Sequence, residues 1–170
     1  MNTALPPHAL SERETRLLGH LAAEAQPRTI TVDPVLALAP ADVDEAVRAL
    51  LSTTGTRTVP QLVAWGAAHG IVTGPHTPPT TDFRLPGRLQ RILQGWVGGR
   101  TAPELAADLD VTPHTVREYD RGLRVRLGVR TQIQASITAV LAGLVLLRDI
   151  KPDWPAEPFR CAVPPGEQTA

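Results

Sequence analysis

Cysteine is almost missing: Cys161 is the single one among 170 residues. The chain therefore forms no intramolecular disulfide and no cysteine-based zinc site, which suits a reducing compartment. Lysine is as scarce, Lys151 being the only one among 17 basic side chains. With abundant alanine and proline, that bias is typical of a high-GC bacterial coding sequence. Aromatic residues make up 4%. Trp65, Trp96 and Trp154 stand too far apart for a base-stacking platform, and Trp65 and Trp96, on helical faces, belong in the core. The longest apolar stretch, Ile137 to Leu147, is interrupted by Thr138 and ended by Arg148, far short of the roughly 20 residues that cross a bilayer. Met1 to Pro7 lacks the basic start and apolar centre of a secretory signal. The expected location is the bacterial cytoplasm.

Catalytic signatures are absent as well. His8, His20, His69, His76 and His114 show no metal-ligand spacing. No local Ser-His-acid signature occurs, and Gly95, Gly98 and Gly99 follow a helical pattern rather than a strand, so they form no phosphate loop. No enzyme, metal or cofactor is expected, and no phosphoacceptor domain.

What is present is charge asymmetry and helical periodicity. The formal net charge is zero, yet residues 1–82 carry five arginines against eight carboxylates, while nine arginines lie between Arg84 and Arg130 against five carboxylates. A local positive excess of this kind marks where phosphates can bind. Ser11 followed by Glu14 is a capping-box pattern, and Leu17, Leu18 and Leu21 continue at helical spacing. Breakers fill the stretch from Gly74 to Pro86 and recur from Pro152 onward. Leu89, Ile92, Leu93 and Trp96 outline a helix stopped by Gly98 and Gly99. Thr101 caps a short helix to Leu109; Asp110 and Val111 turn the chain; Thr112 caps the next helix, with Val116, Tyr119 and Leu123 inward until Gly128. A last helix is expected from Thr131 to Leu147, with an apolar stripe of Ile133, Ile137, Val140, Leu141, Leu144 and Val145. The expected fold is all-α: two small helical, helix-turn-helix-like domains in tandem, joined by a Pro/Gly-rich linker. The divisions are a flexible N-terminus at 1–9, a helical domain at 10–73, a linker at 74–86, a second domain at 87–150 and a Pro-rich tail at 151–170. Trp154 and Phe159 are the residues able to pin that tail.

The run Thr101-Ala-Pro-Glu-Leu-Ala-Ala-Asp-Leu-Asp-Val-Thr-Pro-His-Thr-Val-Arg117, followed by Arg126-Leu-Gly-Val-Arg-Thr131, resembles the LuxR/GerE-type helix-turn-helix domain of NarL-like regulators. The likeness covers Leu85 to about Ala142. It implies that the helix after Thr112 enters the DNA major groove, with Arg117, Glu118 and Arg121 at base-reading positions. Arginines one turn apart share a face, and each can pair bidentately with guanine. Thr112, His114, Thr115, Arg124, Arg126, Arg130 and Thr131 then suit phosphate contacts, which fix register without reading sequence. Three features depart from the pattern: Asp120 replaces an aliphatic residue, Tyr119 stands where a histidine is common, and Leu85-Pro-Gly-Arg88 is a reduced opening. The implied function is a sequence-specific regulator on double-stranded DNA, acting as a homodimer on a two-fold site.

The same family's opening is matched by Leu10-Ser-Glu-Arg-Glu14, and its closing helix by Leu62 to Val72, so the first half resembles a worn copy. Its recognition helix, Pro40 to Leu51, exposes Asp42, Asp44 and Glu45 with only Arg48 basic, and three carboxylates are repelled by a phosphate-lined groove. Dimer formation, a protein partner or shielding of the other half are its candidate roles. The stripe Ile133, Ile137, Val140, Leu141 and Leu144 serves either a dimer or the contact between halves. The alternative function is a protein-interaction adaptor that keeps the fold without strong DNA binding.

Overall fold

The computed structural model describes residues 10–73 and 83–155. Among them every regular element is helical. The calls on His8, His76, Phe159, Cys161, most of the linker and the end of the tail lie outside the described residues. The first half contains α1 (Glu12–Ala22), α2 (Pro27–Thr31), a single 3₁₀ turn (Pro40–Asp42), α3 (Val43–Thr54) and α4 (Val59–Ala68). The second contains α5 (Gly87–Val97), α6 (Ala102–Asp108), α7 (Pro113–Leu127), α8 (Gln132–Leu141) and the short α9 (Leu147–Ile150). No described helix is long and apolar enough to cross a membrane.

Local chemistry accounts for most boundaries. The Ser11 hydroxyl accepts from the Glu14 amide while the Glu14 carboxylate accepts from the Ser11 amide, and Thr101 and Glu104 do the same for α6. Thr58, Thr112 and Thr131 cap α4, α7 and α8 through their side chains. Each such cap satisfies an orphan N–H and is worth about 1 kcal/mol. Gly55 and Gly128 end α3 and α7 in the left-handed conformation.

Two expectations about boundaries are corrected. The final helix ends at Leu141, because Gly143 turns left-handed (φ 66) and Leu144 donates back to Ala139 at 2.9 Å. Leu144 and Val145 therefore sit beyond α8, though Val145 is still buried. The helix of the first half's middle is displaced too: Pro40 opens only a 3₁₀ turn, and α3 proper runs on to Thr54. The five-residue α2 had no apolar periodicity long enough to announce it.

The halves repeat the same backbone punctuation. Every described residue with positive φ has a counterpart: Glu24 with Gly99 at an interval of 75, and Ala37 with Asp110, Gly55 with Gly128, and Gly70 with Gly143 at 73. Helices α4 and α8 coincide at the 73-residue interval, and α1 and α5 at 75. The turn before α4 and that before α8 even repeat in sequence, as Gly55-Thr-Arg-Thr58 and Gly128-Val-Arg-Thr131. In both, the glutamine three residues after that threonine folds back to accept from the arginine amide: Gln61 from Arg57 at 2.8 Å, Gln134 from Arg130 at 2.9 Å.

The halves share one hydrophobic cluster, with α4 packed on α8 at its centre. All of α4 from Gln61 to Ala68 is buried, as is α8 from Ala135 to Val140. Helix α4 also touches α5, and α8 touches α1, so the cross-contacts are reciprocal. Gln134 donates to the Glu24 carboxylate at 2.7 Å, while Gln61 lies against Gly99, the residue equivalent to Glu24. Such exchange of equivalent partners is the hallmark of a two-fold contact, here contained within one chain. Leu18, Leu62, Leu93 and Leu123 are fully buried in this cluster, and each contributes about 1.5–3 kcal/mol relative to an exposed side chain.

Outer segments are tied down by polar contacts. Asp33, almost wholly buried, accepts from Arg16 at 2.8 Å, meets His20 at 2.7 Å and accepts from the Val35 amide at 2.9 Å. The Arg16 and His20 hydrogen bonds hold its carboxyl far below the usual range. Across the halves, Arg57 bridges to Glu104 at 2.8 Å. Lys151 donates to the Gly55 carbonyl at 2.8 Å, and Trp154 is buried, so the tail is pinned as far as that residue. Trp65 and Trp96 are core residues as expected.

Candidate nucleic-acid interface

Helix α7 carries the residues that the sequence singles out. Thr112 holds the Thr115 amide at 3.2 Å, Pro113 opens the first turn, and 15 residues follow before Gly128, a length of about 22 Å at 1.5 Å per residue. Its inner stripe is Val116, Asp120 and Leu123, all buried. Turned to solvent are His114, Arg117, Glu118, Arg121, Val125 and Arg126. The three expected base-reading positions thus share one exposed stripe at helical spacing. Arg121 and Glu118 approach at 3.5 Å while both stay exposed. An exposed pair of this kind is worth about 0.2–1 kcal/mol, little enough for a ligand to separate it.

The expected phosphate-binding residues divide into three groups. Thr112, His114 and Thr115 gather at the start of α7, where Pro113 has no N–H and the Thr115 and Val116 amides are already taken by Thr112, so the exposed side chains of Thr112 and His114 are the groups there suited to a phosphate. Arg126 and Arg130 are exposed at its far end, and Thr131 is half-buried as the cap of α8. Arg124 is different. Its Nη1 donates to the Arg130 carbonyl at 2.7 Å and its Nε lies 3.0 Å from the Asp120 carboxylate. That second approach is Coulombic rather than an aligned hydrogen bond, since the Nε–H finds no acceptor along its direction. Arg124 therefore locks the turn between α7 and α8, and the buried Asp120 is its counter-charge.

One residue was missed. Arg88 of α5 donates to the Tyr119 hydroxyl at 2.5 Å and stands 5.8 Å from that ring's centre, which brings a further exposed cation beside α7. Its own sequence context, Leu85-Pro-Gly-Arg88, carries no sign of this; only the packing of α5 on α7 does.

Of the stripe assigned to a dimer or to the contact between halves, Ile137 and Val140 are buried against the rest of this chain, and Ile133, Leu141 and Leu144 are half-buried. In the first half, α3 exposes Asp44, Glu45 and Arg48, with Asp42 exposed just before it and Arg48 paired to Glu45 at 2.8 Å. Among the described residues no group of three or more His, Cys, Asp or Glu side chains is placed to hold a metal ion. No family model matches the chain, and neither does any curated protein or solved structure.

Proposed function

We propose that this protein is a transcriptional regulator of the LuxR/GerE helix-turn-helix type that binds double-stranded DNA by laying α7 in the major groove. The observation that carries the reading is the exposed stripe of Arg117, Glu118 and Arg121 on a capped, 15-residue helix whose opposite face is anchored in the core. Arg117 and Arg121 suit guanine O6 and N7, and Glu118 suits cytosine N4. The exposed Arg126, Arg130 and Arg88 flank the same helix and suit phosphates. The absence of recognisable catalytic signatures in the sequence fits a regulator rather than an enzyme, and the single cysteine fits a cytoplasmic location.

A second reading, an adaptor that binds a protein through its first half, is favoured by the carboxylates exposed on α3. Titration of the protein against random duplex DNA over a range of salt separates the two. Phosphate contacts give a linear fall of log K with log salt, by about 0.9 per contact. A slope near zero would discard the DNA-binding reading and leave the adaptor.

A further inference from the structure

Resting on the reading of α7 as the DNA-reading helix, we infer that one chain binds one asymmetric site as a monomer, the first half being a built-in partner that occupies the two-fold face without reading DNA. Three observations carry this. The reciprocal contacts, Gln134 with Glu24 and Gln61 with Gly99, together with α4 against α8, are those of an isologous pair. That face is used up: α4 is buried from Gln61 to Ala68, and α8 from Ala135 to Val140. A second copy cannot add to it without prising the halves apart.

The third observation is charge. Because α3 and α7 end in the same left-handed glycine cap, 73 residues apart, counting back from the caps matches their positions. Arg117 corresponds to Asp44, Arg121 to Arg48, Arg124 to Leu51 and Arg126 to Thr53. Four arginines on α7 therefore become one on α3; of the three lost, Arg124 belongs to the turn between α7 and α8, and the remaining Arg48 pairs with Glu45 as Arg121 does with Glu118. The core positions are kept, Val116 matching Val43 and Leu123 matching Leu50, all buried. The repeat has preserved what packs while the stripe matching the reading face loses positive charge, Arg117 becoming Asp44 and Arg126 becoming Thr53. Arg13 and Arg57, which match Arg88 and Arg130, are tied to the Leu36 carbonyl and to Glu104, so a duplex is drawn to the second half rather than the first. Two equivalent reading helices would demand half-sites about 10–10.5 bp apart; one such helix demands a single element.

Selection of bound duplexes from a random library by the full chain, with sedimentation of the protein on the selected duplex, tests this. The expected result is a motif without two-fold symmetry and one chain per duplex. On that duplex Arg121→Ala weakens binding by about 5–150-fold, while Arg48→Ala, at the matching place on α3, stays within about twofold. A palindromic motif, two chains per duplex, or equal losses from Arg48→Ala and Arg121→Ala would overturn the inference while leaving DNA binding in place. If no motif is enriched and binding to random duplex ignores salt, the underlying reading of α7 falls and takes this inference with it.

Discussion

Gly99 is the position where the contact between the halves can be tested most directly. Its φ is 77, and a Cβ built there would stand 2.2 Å from Gln61 Oε1 and 2.7 Å from Gln61 Cδ. Gln61 is itself buried, and that same oxygen accepts the Arg57 amide at 2.8 Å. Gly99→Ala therefore has two separable effects. A non-glycine residue in left-handed backbone costs about 1–2 kcal/mol. Pushing Gln61 aside strips the Arg57 N–H of its acceptor, a further loss of about 1–3 kcal/mol. At about 2–4 °C per kcal/mol for a chain of this size, the fall in Tm is on the order of 10 °C. Gly128→Ala is the control: φ is 67 but nothing lies within 4 Å of the added atom, so only the backbone strain of about 1–2 kcal/mol remains. Gln61→Ala alone also orphans the Arg57 amide. In the double variant that loss is counted once and the clash is gone, so the combined destabilisation falls short of the sum by about 1–3 kcal/mol. Denaturant unfolding of the four proteins in this cycle measures the coupling. Additivity within about 0.5 kcal/mol would refute the argument, because it would mean Gln61 and Gly99 do not touch.

Other substitutions probe α7. Arg117→Ala and Arg121→Ala are each expected to weaken the preferred site by about 1–3 kcal/mol and to relax base preference, whereas Arg126→Ala weakens all duplexes alike and lowers the salt slope by about one contact. Arg124→Ala should instead lower stability, leaving Asp120 buried without its counter-charge, and should leave the salt slope unchanged; competition binding and thermal melting distinguish the outcomes. Acid should loosen the bridge between the halves. The Thr101 backbone amide and then Arg57 lower the Glu104 carboxyl from 4.5 to about 2. Since the folded-state value is the depressed one, the stability it supplies is complete above pH 4.5 and is lost as pH falls toward about 2. Glu104→Gln should make the melting temperature fall less steeply over that window, Asp33 supplying acid sensitivity that remains, and an unchanged acid limb would count against the hydrogen bonds Glu104 accepts from Thr101 and Arg57.

Much of the helical framework is legible without coordinates because it depends on short-range chemistry. Ser11 with Glu14, Thr101 with Glu104, Thr112 before Pro113, and Gly128 after Leu127 mark boundaries that local hydrogen bonds enforce. The outward stripe of α7 follows in the same way, since alternation of Val116 and Leu123 with Arg117 and Arg121 needs only the 3.6-residue period. The repeat was partly visible too, in Leu10-Ser-Glu-Arg-Glu14 and Leu62 to Val72, whereas the matching turns Gly55-Thr-Arg-Thr58 and Gly128-Val-Arg-Thr131 stand out only once the helices of both halves are aligned.

Other features depend on partners remote in the chain. An arginine near the end of a helix looks the same whether it meets a phosphate or a carbonyl; only the return of Arg130 and the inward set of Asp120 commit Arg124 to the latter. Arg88 is an ordinary surface cation until α5 lies beside Tyr119. The apolar stripe of α8 had two possible destinations, and the choice between them rests on α4 lying within reach in the same chain. Helix periodicity determines which face is apolar, a property of consecutive residues. What that face is buried against depends on residues some 70 positions away, and so belongs to the tertiary structure alone.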